Sequence, residues 1–396
     1  MGKTVQEEFK LRWDHAKDIT TRSLVNVLTI HEIPLPLIKE EMVRVFEENV
    51  NNNKISTEDA IKFVDQEIRY GYNRTIFCKD LDKYSVENLK NKNFEDIKLL
   101  LRSKGWEVPE KNELLNVYLP DKLVLTEFNM ESNQYIELTL IETIRVSNKN
   151  SIMKENNIYF VRVDLLENYL YIRMRPRGNA VELINQDYKK IPDVTFYKKI
   201  RNICEKMLGI ETIDSTHFKT TLYKIAKELT EKAEEKSRTE VNRHIDKIER
   251  FAQEMASSLN GFETRNFDMN FRLRRLFERA LIQSDFKQLK QREPGKKGFI
   301  NAFHFSDRSG GKVKARSKEK ERSIDLSEIY YDTRDTIDQQ EAYDNLWVNW
   351  FMPGQKNTIN TRLEANNEFY QVHFYKYLYK GDLEYVLSEI GYFKDK

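Results

Sequence analysis

Between residues 135 and 146, "YIELTLIETIRV", apolar and polar side chains alternate. Ile136, Leu138, Leu140, Ile144 and Val146 fall on one side, and Glu137, Thr139, Thr143 and Arg145 on the other. A period of two predicts a half-buried β-strand. "IYFVRVDLLENYLYIRMRPRG" (158–178) repeats the alternation on either side of Leu165–Asn168, a hairpin ended by Pro176 and Gly178. Pairing Asp164 with Tyr169 puts Val161, Val163, Leu170, Ile172 and Met174 on the core face. The opposite face then carries Arg162, Tyr169, Tyr171, Arg173 and Arg175, with Arg177 just beyond.

Elsewhere the period is helical. Leu24, Val27 and Leu28 share a face, Pro34 and Pro36 interrupt it, and Ile38, Met42 and Val45 restart a second helix. A third helix begins at an N-cap, Ser56 or Thr57, and stops at Gly71. A fourth, in 93–109, has acids in its first turn, Arg102 and Lys104 in its last, then Gly105 and Pro109. Another helix is expected at roughly 195–208. Val241, Ile245, Ile248, Ala252, Met255 and Leu259 step by four and three, and Leu222, Ala226, Leu229 and Ala233 extend the seam upstream. With a turn at Asn260–Gly261 and a second helix over 266–284, this predicts a helical hairpin. Toward the end, a helix bearing Trp347 and Trp350 is expected, then a strand over 367–379, then a helix with Leu383, Val386, Leu387 and Ile390 on one face.

The order of elements predicts an α+β fold, with a mostly antiparallel sheet, an inserted helical hairpin and a C-terminal strand and helix returning to the sheet. The expected divisions are a helical domain over 1–112, a β-rich domain over 113–210, a helical arm over 211–285, a basic loop over 286–335 and a C-terminal α/β segment over 336–396. That last segment is too short to bury a core alone, so it should pack on the β-rich domain.

Composition narrows the class. The 396 residues are 39% hydrophobic and 33% charged, with 66 basic and 64 acidic side chains, so net charge makes no case for a polyanionic partner. Cys78 and Cys204 stand alone, which excludes a disulfide framework and a cysteine zinc site. With no apolar leader and no apolar run of membrane-spanning length, a cytoplasmic protein without membrane contact is expected. Abundant Lys, Asn, Ile and Glu suggest an AT-rich bacterial genome or its mobile elements.

Motifs for chemistry are sparse. "MGKTV" lacks the strand and first glycine of a phosphate-binding loop, and "RSGGKVK" lacks the Ser or Thr after its lysine. His15, His31, His217, His244, His304 and His373 show no metal-ligand spacing, and no metal or cofactor is expected. Asp164 with Glu167, and Asp325 with Glu328 and Asp332, fit either an Mg²⁺ site or turn capping. Arg238, Asn242 and His244 resemble the Arg-to-His spacing of HEPN-type ribonucleases, which implies phosphodiester chemistry at a dimer interface. The same residues also read as one flank of a solvated helix. Leu24, Leu28, Ile33, Lys39, Met42 and Val43 are similar in spacing to a SAP-type DNA-binding helical module, without its glycine before the second helix.

Two surfaces stand out. Residues 286–322 hold twelve Lys/Arg and four Asp/Glu, a local excess of +8, interleaved with Phe299, Phe303 and Phe305. Clustered cations release counterions from phosphates, and aromatic rings can stack on bases, so Lys296, Lys297, Lys312, Lys314, Arg316, Lys318 and Lys320 are candidate contacts. A solvated loop fits the same charges, although "GFINAFHF" (298–305) is too apolar for a simple linker and is expected to form a strand or to dock on the body. The second surface is the hairpin face, where Arg162, Tyr171, Arg173, Arg175 and Arg177 suit phosphate contact with ring stacking if the face is open. If a helix covers it, the tyrosines pack and the arginines pair. The expected function is nucleic-acid binding, DNA ahead of RNA, by an accessory protein of a mobile-element or antiviral system. A nuclease, or an interaction subunit whose arm (215–283) binds a protein partner, are the alternatives.

Overall fold

The structure, a computed structural model, describes residues 8–148, 151–215, 217–259, 268–284, 295–306, 310–318, 323–324, 328–355 and 357–395. It is α+β, and its chain divides into two compact units, Met1–Ser215 with Asn367–Glu384, and Thr216–Asn366 with Tyr385–Lys396.

The first unit opens with α1 (Trp13–Asp18), α2 (Thr21–Ile30), α3 (Lys39–Asn51) and α4 (Thr57–Arg69). Ser56 caps α4 by accepting from Asp59 N. Gly71 ends it with φ +52°, and a Cβ there would lie 2.4 Å from the Glu67 carbonyl oxygen. The chain turns directly into β1 (Gly71–Leu81), followed by α5 (Lys83–Lys90) and α6 (Phe94–Ser103). Next come β2 (Val124–Glu131), β3 (Tyr135–Asn148), β4 (Ser151–Asp164), β5 (Tyr169–Met174), β6 (Ala180–Ile184) and β7 (Asp187–Lys190). The run closes with α7 (Asp193–Leu208) and β8 (Thr212–Ile213).

The sheet of this unit is antiparallel. Its order is β13-β1-β5-β4-β3-β6-β7, where β13 is Tyr370–Leu378; β2 also pairs with β3, and β8 with β1. The hairpin register is the expected one, with Asp164 opposite Tyr169. Asp164 Oδ1 accepts from the backbone N–H groups of Leu166 and Glu167, so this carboxylate caps the turn. The C-terminal strand joins the sheet as expected, by pairing with β1.

Helices cover both faces. One core gathers Val161, Val163, Leu170, Ile172 and Met174 with residues of α5, α6 and α7. The other gathers Leu24, Leu28, Met42, Phe46 and Val64 from α2, α3 and α4 with Ile141, Ile158 and Phe160 of the sheet. The helical domain expected over 1–112 is therefore not separate. Its helices pack on the sheet, and its strand β1 lies between β13 and β5. From Arg74 onward β1 is buried at every position, so it shows no alternation to read.

The second unit begins with α8 (Phe218–Asn242), α9 (Ile245–Ser258) and α10 (Met269–Ser284). The helical hairpin is present, but its first limb breaks at Arg243–His244. The expected turn at Asn260–Gly261 lies outside the described residues. Then follow β9 (Gly298–Ser306), β10 (Lys312–Arg316), α11 (Glu328–Gln340), β11 (Asn345–Phe351) and β12 (Thr358–Ala365). They form an antiparallel sheet in the order β10-β9-β11-β12.

Helix α8 packs against β9, β11 and β12. On that side Phe303 meets Tyr343 at 5.6 Å, beside buried Leu346, Val348, Trp350 and Leu363. Two expectations are corrected here. The basic stretch over 286–335 is not all loop: "GFINAFHF" forms strand β9, as its apolar side chains lead one to expect, and β10 and the start of α11 are added to it. Trp347 and Trp350 lie on a strand, where "NLWVNWF" buries Leu346, Val348 and Trp350 on one face and leaves Asn345 and Trp347 half-buried on the other. The final helix, α12 (Lys380–Asp395), has its residues from Tyr385 onward in this unit. There Tyr385 donates to the Phe351 carbonyl at 2.8 Å and Glu389 pairs with Lys297 at 2.7 Å.

Candidate nucleic-acid interface

The hairpin face of the first unit is not open. Arg173 lies between the rings of Tyr70 and Phe160, 4.6 and 4.9 Å from their centroids, and burial lowers its pKa. Arg175 pairs with Asp18 of α1. Arg177 reaches Glu155 at 3.3 Å and donates to the Asn156 carbonyl at 2.9 Å. Tyr171 sits 5.5 Å from Tyr169 and opposite Cys78, and burial raises its phenol pKa well above the ordinary value. Arg162, the most exposed member of this group, lies 4.3 Å over the Tyr135 ring, with Asp164 at 3.7 Å and Glu137 at 3.9 Å. The physical reason is the second apolar face of the sheet: Ile141, Ile158 and Phe160 draw the N-terminal helices over it. The arginines then find rings, carbonyls and carboxylates within the chain.

The basic stretch divides. Lys297 is held by Glu389 and lies 3.7 Å over the Tyr392 ring, which makes it part of the packing under α12. Lys296 is half-buried, Lys318 is exposed beyond the end of β10, and Lys320 lies outside the described residues. Lys312, Lys314 and Arg316 are exposed and alternate along β10, the edge strand, while Ala315 between them is buried.

Register shows what accompanies these cations. Arg316 is paired with Ala302, Ala302 with Trp347, and Trp347 with Arg362. Side chains paired across antiparallel strands point to the same face, so Trp347 lies in one transverse row between two arginines. The next row runs Lys314, His304, Asn345, Glu364. Ala302 is small enough that the Arg316 guanidinium reaches across it, to 5.9 Å from the Trp347 ring centroid. Asn345 Nδ2 lies 3.3 Å from His304 Nδ1, and Arg362 contacts Glu364 at 3.2 Å. Among the described residues this face thus presents Lys312, Lys314, Arg316 and Arg362 with the carboxylate of Glu364 around a half-buried indole. Asp344, the acid that precedes Glu364 along the chain, is engaged by Lys219 at 2.8 Å. Burial opposes its charge, but the hydrogen bonds from Lys219 and Ser306 outweigh that and hold its pKa below the ordinary value.

Trp347, Arg362, His304 and Asn345 were not among the residues expected from sequence. The alternation Leu346, Val348, Trp350 against Asn345, Trp347, Asn349 carried the signal, and reading this stretch as a helix hid it.

The remaining candidates do not assemble. Arg238 is 4.0 Å from Glu231. Asn242 ends α8, and His244 sits in the break before α9, 3.8 Å from Glu240, so the three do not share one continuous helix. Leu24, Leu28, Ile33, Met42 and Val43 are core residues of the first unit. An apolar groove of about 410 Å³ lies on the hairpin, lined by Val241, His244, Ile248, Phe251, Phe277 and Leu281 among others. Among the described residues no group of three or more His, Cys, Asp or Glu is placed to hold a metal ion, and no helix is long and apolar enough to cross a membrane. No protein-family model, curated protein or solved structure matches the chain.

Proposed function

We propose that the protein binds nucleic acid through the β10–β9–β11–β12 face of its second unit. The observation that carries this reading is the alternation of Lys312, Lys314 and Arg316, exposed on one face of the edge strand, in register with Trp347 and Arg362. Side chains two apart on a strand are about 6.8 Å from one another, a spacing that lets successive cations follow the phosphates of an extended strand. Each phosphate contact releases counterions, which supplies sequence-independent affinity. Charge here is a local property, so a chain of formal net charge +2 is no obstacle.

Fluorescence anisotropy with labelled DNA and RNA oligonucleotides tests the reading. The Lys312→Glu, Lys314→Glu, Arg316→Glu triple variant should bind both far more weakly while melting like the wild type. Undiminished binding by the triple variant would overturn it.

A further inference from the structure

We infer that the first unit carries its own face for a nucleic-acid phosphate backbone, formed by β3, β4 and the β6–β7 hairpin. This goes beyond the reading just given and shares with it only the class of partner. Register builds the face. Lys154 is paired with Arg145, Arg145 with Val181, and Val181 with Lys190. Residues paired across antiparallel strands share a face, so three cations stand in one transverse row, with buried Val181 between the second and third. All three are exposed. Neighbouring strands lie about 4.8 Å apart, so the row spans about 14 Å from Lys154 to Lys190.

The packing of the unit accounts for the position of this row. In the row before it, Thr143 donates to the Pro120 carbonyl at 2.8 Å. Its register partner Asn156 accepts from Leu119 N at 2.9 Å and donates to the Val117 carbonyl at 3.2 Å. The segment 117–120 thus engages the Thr143–Asn156 row, and the cations begin at the next. The adjacent acid, Glu155, is held by Lys17 at 2.6 Å and Arg177 at 3.3 Å. Glu182, register-paired with Lys189, lies on the other side of the hairpin. Among the described residues, none of Arg145, Lys154 and Lys190 is in an ion pair. Like charges directly opposite one another destabilise a sheet, so folding alone gives no reason for Arg145 to face Lys154. An anion bound between them turns the repulsion into attraction.

A phosphate backbone is an anion whose charges recur along a line. Two features favour it over an anionic bilayer. The hairpin ends in two amides, Asn185 and Gln186 with φ +51° and +69°, and exposed Asp187 follows them. A membrane would have to take up these polar groups unpaired. Tyr188, 48% exposed, stands on the same side of the hairpin as Lys190, and a ring among cations suits nucleic acid.

The test uses the full chain, a labelled 20-nucleotide oligothymidylate, and vesicles of equal parts phosphatidylcholine and phosphatidylserine. The Arg145→Gln, Lys154→Gln, Lys190→Gln triple variant should bind the oligonucleotide more weakly at low salt. Its slope of log K against log salt should be shallower by about 2, one contact for each cation removed. Its melting temperature should match or exceed the wild type, because opposed like charges are gone. A wild-type slope would overturn the inference and leave the β10 reading untouched. Earlier melting would overturn it by making the cations structural. Loss of vesicle binding with the oligonucleotide slope unmoved would overturn it in favour of lipid. The Lys312→Glu, Lys314→Glu, Arg316→Glu variant, measured on the same probe, decides the β10 reading separately.

Discussion

Replacing Arg173 by alanine tests whether the hairpin arginines are scaffold. The side chain sits between Tyr70 and Phe160, with Glu137 acting on its charge only at longer range. Desolvated cation–π contacts contribute about 2 kcal/mol each, and truncating a long buried side chain leaves a cavity costing about 2–5 kcal/mol. Relief of a buried charge and of repulsion from Arg69 offsets part of this. The net loss should be about 3 kcal/mol, inside the range for core truncations. For a unit of roughly 200 residues that lowers Tm by roughly 6–12 °C. Arg173→Met keeps the stem, loses the charge and should stay within about 1.5 kcal/mol of wild type. Urea and thermal melts followed by circular dichroism give both values, and oligonucleotide affinity measured on the same samples should not change. An Ala variant that melts like wild type and binds nucleic acid more weakly would refute the argument and return the hairpin to the interface.

Other consequences follow from single features. Removing residues 365–396 deletes β13, whose Tyr370, Val372, Phe374 and Leu378 are buried. At about 1.5–3 kcal/mol each, their loss approaches the whole stability of a domain, so the truncated first unit should show no cooperative melt; an unshifted transition would contradict this. Gly298→Ala would place a Cβ 2.5 Å from the Asn349 carbonyl oxygen, forcing β9 from β11 at a cost of about 1–3 kcal/mol, read as a lower urea midpoint. Burial raises the Glu67 pKa, while hydrogen bonds from Tyr377 and Ser23 oppose the shift. A raised carboxyl stabilises the fold fully below its unfolded pKa, and that contribution is lost as pH rises through the folded value. Glu67→Gln should therefore gain stability relative to wild type between pH 4 and pH 7; a difference that does not vary with pH would count against the assignment.

Much of the fold was legible because one face of an element was buried and the other was not. The β4–β5 register, the Ser56 cap and the return of 370–378 to the sheet all follow from periodicity and caps. Legibility failed where that contrast disappears. Strand β1 is buried on both faces and reads as neither period. The coverage of the Arg173 face depended on Ile141, Ile158 and Phe160, which interrupt the polar side of β3 and β4 with apolar residues and are the local sign that a helix layer lies above. Charge density located Lys312, Lys314 and Arg316, but a +8 excess over 37 residues does not say which cations are spent internally, as Lys297 is on Glu389 and Tyr392. Trp347 and Arg362 join the site only through cross-strand register, which is a long-range property of the chain.

The central claim is that the β10 face grips phosphates, and the salt dependence of oligonucleotide affinity tests it most directly. For a single strand, each neutralised phosphate contributes about 0.7 to the slope of log K against log salt. Reversing Lys312, Lys314 and Arg316 should therefore make the slope shallower by about 2 and reduce affinity at low salt, with the melting transition unmoved. A wild type that binds neither single-stranded DNA nor RNA at low salt, or a triple variant with the wild-type slope, would contradict the account.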